Sequence, residues 1–112
     1  MKIADCGSTY SKILDLDSGA LEIVATKELV RRKSERYEVA TGHCARGRCA
    51  VYRNELIALA EGGLALVADE DFSLVDVGGR DIKFVRLKGR KVEKLDWNLS
   101  CGSTTGATLE LL

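Results

Sequence analysis

Aspartate, glycine and lysine recur with one spacing at two places in this chain of 112 residues. Both segments fit the pattern D-x-G-S/G-x-x-x-K, as DCGSTYSK at residues 5–12 and as DVGGRDIK at residues 76–83. Each copy follows an apolar segment of strand character and precedes a second one, and another tight turn comes after that second segment. The repeat therefore predicts two hairpins of the same construction.

A loop of this composition is suited to binding phosphate. Glycine lets the backbone approach a ligand closely and direct successive N–H groups at it. In the first copy, Ser8 and Thr9 add hydroxyl donors and Lys12 adds a positive charge. Asp5 and Asp76, at the ends of the preceding strands, are suited to holding Mg²⁺ through its water molecules.

Two such loops facing each other would grip a magnesium nucleotide from both sides. The alternative is that the pattern is ordinary hairpin chemistry, since Asp, Gly and Ser are common in tight turns. A single copy favours the plain turn, whereas a second copy in the same strand-loop-strand setting favours phosphate binding.

Alternating apolar and polar residues predict a β-meander around the first loop, with a tight turn at residues 17–19. The charged segment VRRKSER, residues 30–36, is interpreted as a solvated connection, and RGRCAV, residues 46–51, is left unassigned. The predicted strands of this part are residues 2–6, 11–17, 20–29 and 37–42.

Apolar residues at helical spacing predict an amphipathic helix over residues 52–68, with Asn54 as its N-cap. The pair Gly62 and Gly63 costs roughly 1 kcal/mol per glycine, which is tolerable if the helix packs closely on a sheet there. A Gly-rich turn and a helix are expected over residues 101–112. The strands predicted between these helices are residues 72–79, 81–87 and 91–97.

The charge balance of the sequence argues weakly against polyanionic partners, although it allows local basic patches. Seventeen basic and seventeen acidic residues cancel, so no overall field attracts nucleic acid or an anionic membrane. The segment MKIADCG lacks the apolar core of a signal peptide, and the longest apolar run, Leu64–Ala68, is too short to span a bilayer. We expect a cytoplasmic protein.

Four cysteines in such a protein are expected to be free thiols or metal ligands rather than disulfides. His43, Cys44 and Cys49 form an H-C-x4-C group that would ligate zinc, but no second close pair completes a site of four ligands. Cys6, at the end of the first strand, is expected in the core.

The two hairpins resemble the phosphate-1 and phosphate-2 motifs of the superfamily that contains actin, the sugar kinases and the heat-shock chaperone ATPases. Taken in order, DCGSTYSK, VATGH, residues 54–89 and CGSTTGA resemble the activator ATPases of 2-hydroxyacyl-CoA dehydratases and benzoyl-CoA reductases. The likeness covers most of the chain apart from residues 27–36. It implies an α/β fold of two ribonuclease-H-like, actin-like ATPase units, at residues 1–70 and 71–112, with a mixed sheet, β-meanders, a covering helix and an incomplete second half.

The resemblance also implies a function. Members of that family are ATP-driven homodimers that carry one 4Fe-4S cluster on the two-fold axis and couple ATP hydrolysis to electron transfer into a dehydratase or reductase partner. Arg80 stands where the family commonly has Gln. The implied nucleotide-binding residues are Gly7, Ser8, Thr9 and Lys12 in the first loop and Asp76, Gly78, Gly79 and Asp81 in the second, with Asp5 and Asp76 as the catalytic, magnesium-holding pair.

Cys101 falls where the family has its first cluster cysteine. A thiolate at the start of a helix is stabilised by the helix dipole, which suits cluster ligation. The alternative is that Cys101 is a small buried hydrophobic residue.

Two other functions fit the same motifs. The superfamily holds adenosine with its second half, and the sequence ends one helix into that half, so the expected adenosine loop is not among these residues. One alternative is therefore a catalytically inactive nucleotide-binding or scaffold domain of the same fold. Another is a kinase-like or hydantoinase-like relative with the same phosphate loops.

Overall fold

A computed structural model describes residues 1–99 of the chain. These residues form two compact units, Met1–Asn54 and the part that begins at Glu55. The predicted turn and helix at residues 101–112 lie outside the described residues. The unit boundary expected at residue 70 stays a prediction.

The first unit is built on a five-stranded mixed sheet in the order β3-β2-β1-β4-β5. The first three strands form the predicted antiparallel meander, and β1, β4 and β5 run parallel to one another. A 3-10 helix lies at His43–Ala45. The strands are β1 Lys2–Cys6, β2 Tyr10–Asp15, β3 Leu21–Ala25, β4 Tyr37–Thr41 and β5 Cys49–Arg53.

The third strand is shorter than its sequence pattern predicts. The expectation of a strand through Leu29 is wrong, because β3 ends at Ala25 and a helix, α1, runs over Thr26–Arg31. Leu29 is fully buried in the core beside β1 and β2. The guanidinium group of Arg48 donates hydrogen bonds to the carbonyl oxygens of Leu29, Val30 and Arg32, and thereby caps the C-terminal end of α1.

The core of the first unit covers one face of the sheet, which fixes the register of the meander. Ala4 pairs with Ile13 on the neighbouring strand, and both side chains are buried. The buried set consists of Ala4, Cys6, Ile13, Leu29, Tyr37, Ala40 and Ala45.

The second unit is a three-stranded antiparallel sheet covered by a helix. The helix, α2, spans Glu55–Leu66, so the predicted helix is confirmed. It begins later and ends earlier than the predicted range of residues 52–68. Its Ala60 packs with Val85 and Leu87 in the core. The strands are β6 Phe72–Val77, β7 Asp81–Lys88 and β8 Lys91–Leu99, which confirms three predicted strands.

The end of α2 is capped in the same way as that of α1. Arg90, whose φ is 61°, donates hydrogen bonds to the carbonyl oxygens of Leu64, Val67 and Asp69. No helix of residues 1–99 is long and apolar enough to cross a membrane.

Candidate phosphate-binding hairpins

The two copies of the motif form hairpins of identical register. In the first hairpin, Asp5 of β1 lies opposite Lys12 of β2. In the second, Asp76 of β6 lies opposite Lys83 of β7. The first and last residues of the motif are therefore cross-strand partners in both places, and the predicted structural repeat is confirmed.

The leading glycine has the same role in both loops. A Cβ atom on Gly7 would lie 2.5 Å from the carbonyl oxygen of Tyr10. A Cβ atom on Gly78 would lie 2.5 Å from Oδ1 of Asp81, and the Gly78 N–H donates a 2.8 Å hydrogen bond to the Asp81 carbonyl oxygen. Each glycine thus faces the residue three positions later, at a separation that leaves no room for a side chain.

The first loop is held in place by Thr26, the first residue of α1. The Thr26 hydroxyl donates a 2.7 Å hydrogen bond to the Gly7 carbonyl oxygen and lies 2.8 Å from the hydroxyl of the buried Ser11. The Thr26 N–H donates to the Thr9 carbonyl oxygen. These bonds fix the carbonyl oxygens of the loop from the core side, and the side chains of Ser8 and Thr9 remain exposed.

The end of β4 approaches the same hairpin. Thr41 lies opposite Asp5 in the parallel register, and Gly42 follows it with a φ of 97°. A Cβ atom on Gly42 would overlap the carbonyl group of Cys6. Gly42 is therefore required twice, by its positive φ and by this close approach of two backbones.

The charged pair of the first hairpin is open to solvent. Lys12 Nζ lies 3.8 Å from Asp5 Oδ2, and the two side chains are 49% and 53% exposed. An ion pair this exposed contributes at most about 1 kcal/mol. The Lys12 ammonium is consequently free to leave Asp5 for a more highly charged anion.

The corresponding lysine of the second hairpin lies inside a cluster of charges. The Lys83 ammonium lies 2.8 Å from Asp81 Oδ2, 3.6 Å from Glu55 Oε1 and 4.0 Å from Asp76 Oδ2, and its side chain is only 7% exposed. It also lies 4.9 Å from the ring centre of Trp97, whose indole N–H donates to Asp81. The site of the second hairpin thus includes two acidic residues of its own loop and one from α2.

The environment of Lys83 acts on its pKa in opposite directions. Burial lowers the pKa, whereas the hydrogen bond to Asp81 and the charges of Asp81, Glu55 and Asp76 raise it, and the net effect is a raised pKa. Lys83 is therefore a firmly held cation and is unsuited to act as a base or a nucleophile at neutral pH.

The aspartate at the start of each hairpin is accessible to a magnesium ion that would arrive with phosphate. Among residues 1–99, no group of three or more His, Cys, Asp and Glu side chains is placed to hold a metal ion. Magnesium usually takes only one or two carboxylates and completes its shell with water and substrate phosphates. Asp5 and Asp76, each about half exposed, have the accessibility that this kind of binding needs.

The environment of Cys6 does not suit ligation of an iron-sulfur cluster. Cys6 is buried, and burial, with the neighbouring Cys44, raises the pKa of its thiol to about 11, which opposes the thiolate that a cluster needs. Cys49 donates a hydrogen bond from its thiol to the Ala45 carbonyl oxygen. Cys101, the residue predicted as a ligand, lies outside the described residues.

Sequence reasoning named Asp5, Asp76 and the loop residues as candidates but did not name the groups that contact them. Lys83 shares its motif position with Lys12, so the repeat itself could have identified it. Thr26 and Glu55 carry no local signal, because each reaches a hairpin from another element of its unit.

Comparisons with known proteins support the fold. No protein-family model matches the chain, and no curated protein matches it. The chain is similar in structure to component A of (R)-2-hydroxyglutaryl-CoA dehydratase from Acidaminococcus fermentans, with a TM-score of 0.70 and 21% identity over 99% of this chain and 51% of that one.

A second similar structure is the ethanolamine utilization protein EutJ from Carboxydothermus hydrogenoformans, with a TM-score of 0.55 and 15% identity over 96% of this chain and 54% of that one. The chain spans about half the length of both structures. Likenesses at this identity show the fold alone, and they confirm the predicted α/β fold class with its mixed sheet.

Proposed function

We propose that this chain binds the phosphate groups of a magnesium nucleotide, with ATP as the first ligand to test, and that it is a relative of the activator ATPases. The observation that carries the proposal is the doubled hairpin, in which the same residues stand in the same register in both units. A plain turn has no need to repeat an aspartate-lysine pair, whereas phosphate binding uses both its charge and its backbone donors. The actin-like fold supports the same reading.

Each group of the hairpins has a role in this proposal. The backbone N–H groups of the two loops donate to phosphate oxygens, and Lys12 leaves Asp5 to pair with a phosphate. Asp5 in the first hairpin and Asp76 in the second are each suited to hold magnesium through its waters, and magnesium offsets charge on the phosphates. Thr26 keeps the first loop in its binding conformation.

Nucleotide binding is tested by calorimetry with Mg-ATP, using Asp5→Ala and Asp76→Ala. We expect each variant to bind about tenfold to a hundredfold more weakly, because a hydrogen bond to a charged group is worth about 1.5–3 kcal/mol. Asp96→Ala is the matched control. Asp96 is an exposed aspartate on β8, in the sheet that contains Asp76, and it lies outside the second hairpin. Unchanged affinity in both hairpin variants would contradict the proposal.

Hydrolysis is a separate question, and the exposed Arg80 favours the second candidate, an inactive nucleotide-binding or scaffold domain. Arg80 occupies the tip of the second loop, where the resembling family commonly has Gln, and its guanidinium group binds phosphate but does not orient water as an amide does. Phosphate release by the native chain is compared with that of Asp76→Ala and Arg80→Gln. Binding without magnesium-dependent release, with release gained in Arg80→Gln, would identify the inactive form.

The activator role adds a homodimer, a 4Fe-4S cluster held through Cys101 and an electron-accepting dehydratase or reductase. The similar structure from Acidaminococcus fermentans is component A of (R)-2-hydroxyglutaryl-CoA dehydratase. Anaerobic reconstitution with iron and sulfide tests this part. Visible absorption in the native chain that is lost in Cys101→Ser supports it, and a colourless protein in both cases rejects it.

A further inference from the structure

We propose that Lys83 is an internal counter-cation, a positioning residue whose ammonium group takes the place among Glu55, Asp76 and Asp81 that a divalent metal ion would otherwise occupy. One consequence for function is that a metal ion enters the second hairpin only together with phosphate. This consequence rests on the proposed nucleotide binding. The placement of Lys83 itself rests on the contacts within the second unit.

Burial separates Lys83 from an ordinary surface lysine. Three carboxylates lie within 4.0 Å of its ammonium group, and only the side chain of Asp76 is about half exposed, while those of Asp81 and Glu55 are 16% and 21% exposed. Trp97 closes a further side of the cluster through its ring and its hydrogen bond to Asp81. Carboxylates gathered in such a place repel one another unless a cation lies between them.

Comparison of the two hairpins shows that the motif alone does not require this arrangement. Lys12 stands at the same motif position and in the same register, yet it has one carboxylate neighbour and is half exposed. On the side away from Asp5, Lys12 pairs with Ile23 of β3. On the side away from Asp76, Lys83 pairs with Trp97 of β8. Within residues 1–99, Lys83 therefore has acidic and aromatic neighbours that have no counterpart around Lys12.

The distances suit an ammonium group, and a metal ion cannot take the position of that group while Lys83 is present. The nearest carboxylate oxygens lie 2.8, 3.6 and 4.0 Å from Nζ. Calcium-like ions need oxygen ligands at about 2.3–2.6 Å, and usually six or more of them. Without the lysine, the partly exposed carboxylates of Glu55 and Asp76 can close around a metal ion, with water completing its shell.

The experiment replaces the ammonium group and looks for a metal site that the native chain lacks. Lys83→Met keeps an unbranched side chain one atom shorter than lysine and removes the charge. In buffer without nucleotide, we expect this variant to bind terbium, used as a calcium analogue, at least about tenfold more tightly than the native chain does. Trp97 is the single tryptophan of the chain and lies beside the site, so it sensitises terbium luminescence directly.

Two controls separate the counter-cation role from a general loss of charge. Lys12→Met removes the equivalent lysine beside one carboxylate and should gain no terbium binding. Lys83→Arg keeps the charge and should also gain none. In a Lys83→Met variant that also carries Glu55→Gln and Asp81→Asn, the terbium site should disappear.

Folding of the variants provides a second readout. If Lys83→Met is destabilised, calcium should restore its melting temperature. The melting temperature of Lys83→Gln is measured in parallel, with and without calcium. If neither variant gains terbium binding or calcium-dependent stability, Lys83 is not a counter-cation. If Lys83→Met gains metal binding but the native chain does not bind Mg-ATP, the proposed function is rejected and this inference stands.

Discussion

Tyr37 carries a hydroxyl group that the fold buries without a partner. The side chain is 3% exposed, and its oxygen has no hydrogen-bond partner among the described residues. Burial, with the charge of Glu35, raises the pKa of Tyr37 to about 12, above the ordinary value of 10.0. The unfolded chain therefore loses this proton first, so the stability linked to it is complete below pH 10 and is lost as the pH rises toward 12.

Tyr37→Phe removes both the unpaired hydroxyl and this titration. At pH 7 we expect a free energy of unfolding equal to that of the native chain or higher by about 1 kcal/mol. Between pH 7 and pH 11 the native chain should lose about 1.4 kcal/mol more than the variant does. Urea unfolding of both proteins at the two pH values measures this, and an equal loss in both would show that the hydroxyl is not shielded as described.

At the scale of single residues, the sequence predicts the ends of each hairpin better than the groups around it. Asp5 and Lys12 are seven positions apart in a hairpin with a short loop, and that spacing makes them cross-strand partners. Thr26 contacts the same loop, but a threonine at the start of a helix has many other uses. Glu55 reaches Lys83 only because α2 packs on β7, a tertiary contact that no local pattern contains.

The two adjacent glycines of α2 face different surroundings, and this gives a matched pair of substitutions. A Cβ atom on Gly62 meets nothing within 4 Å, whereas one on Gly63 would overlap Leu74 Cδ1 on β6. Gly62→Ala should stabilise the chain by about 0.5–1 kcal/mol, because alanine is the better helix former.

Gly63→Ala has the same gain in helix propensity but forces Leu74 to move within the core, which costs about 1–3 kcal/mol. We therefore expect Gly63→Ala to be less stable than Gly62→Ala and no more stable than the native chain. Thermal and urea unfolding of the two variants decide the order. If both substitutions stabilise equally, α2 does not pack on β6 as closely as the structure indicates.

At the scale of elements, the strands and helices with a complete local pattern were predictable. Helix α1 and strand β5, which depend on distant partners, were not. The meander strands alternate apolar and polar residues between turn residues, so their periodicity identifies them. In α1, Leu29 enters the core, and Arg48 caps the last turn from a position sixteen or more residues further along the chain. Strand β5, Cys49–Arg53, has an irregular pattern and is fixed by parallel pairing with β4.

At the scale of the whole chain, the internal repeat carried more information than any single element. The same eight-residue pattern predicted two hairpins of one register in two different units, because the spacing of glycine, aspartate and lysine determines the turn and the cross-strand pair together. It did not predict that one lysine would be exposed and the other buried. That difference depends on α2 and Trp97, which are specific to the second unit.

The repeat has a consequence that can be measured across the whole chain at once by hydrogen exchange. If both hairpins bind phosphate, Mg-ATP should slow the exchange of backbone amides in residues 5–12 and in residues 76–83. We expect at least about tenfold slowing in each segment, because a ligand at about 100 times its dissociation constant stabilises the bound form by about 2.7 kcal/mol. The turn at residues 16–19 lies at the opposite end of β2 and is the internal reference.

Adenosine without phosphate serves as the ligand control and should protect neither segment, since the proposed contacts are made to phosphate oxygens alone. Asp96→Ala should behave as the native chain does, and Asp76→Ala should lose protection in residues 76–83. Protection confined to one hairpin would mean that the other is a plain turn despite its register. Equal protection by adenosine and by ATP would show that the hairpins respond to the nucleoside and would reject phosphate binding as the reason for the repeat.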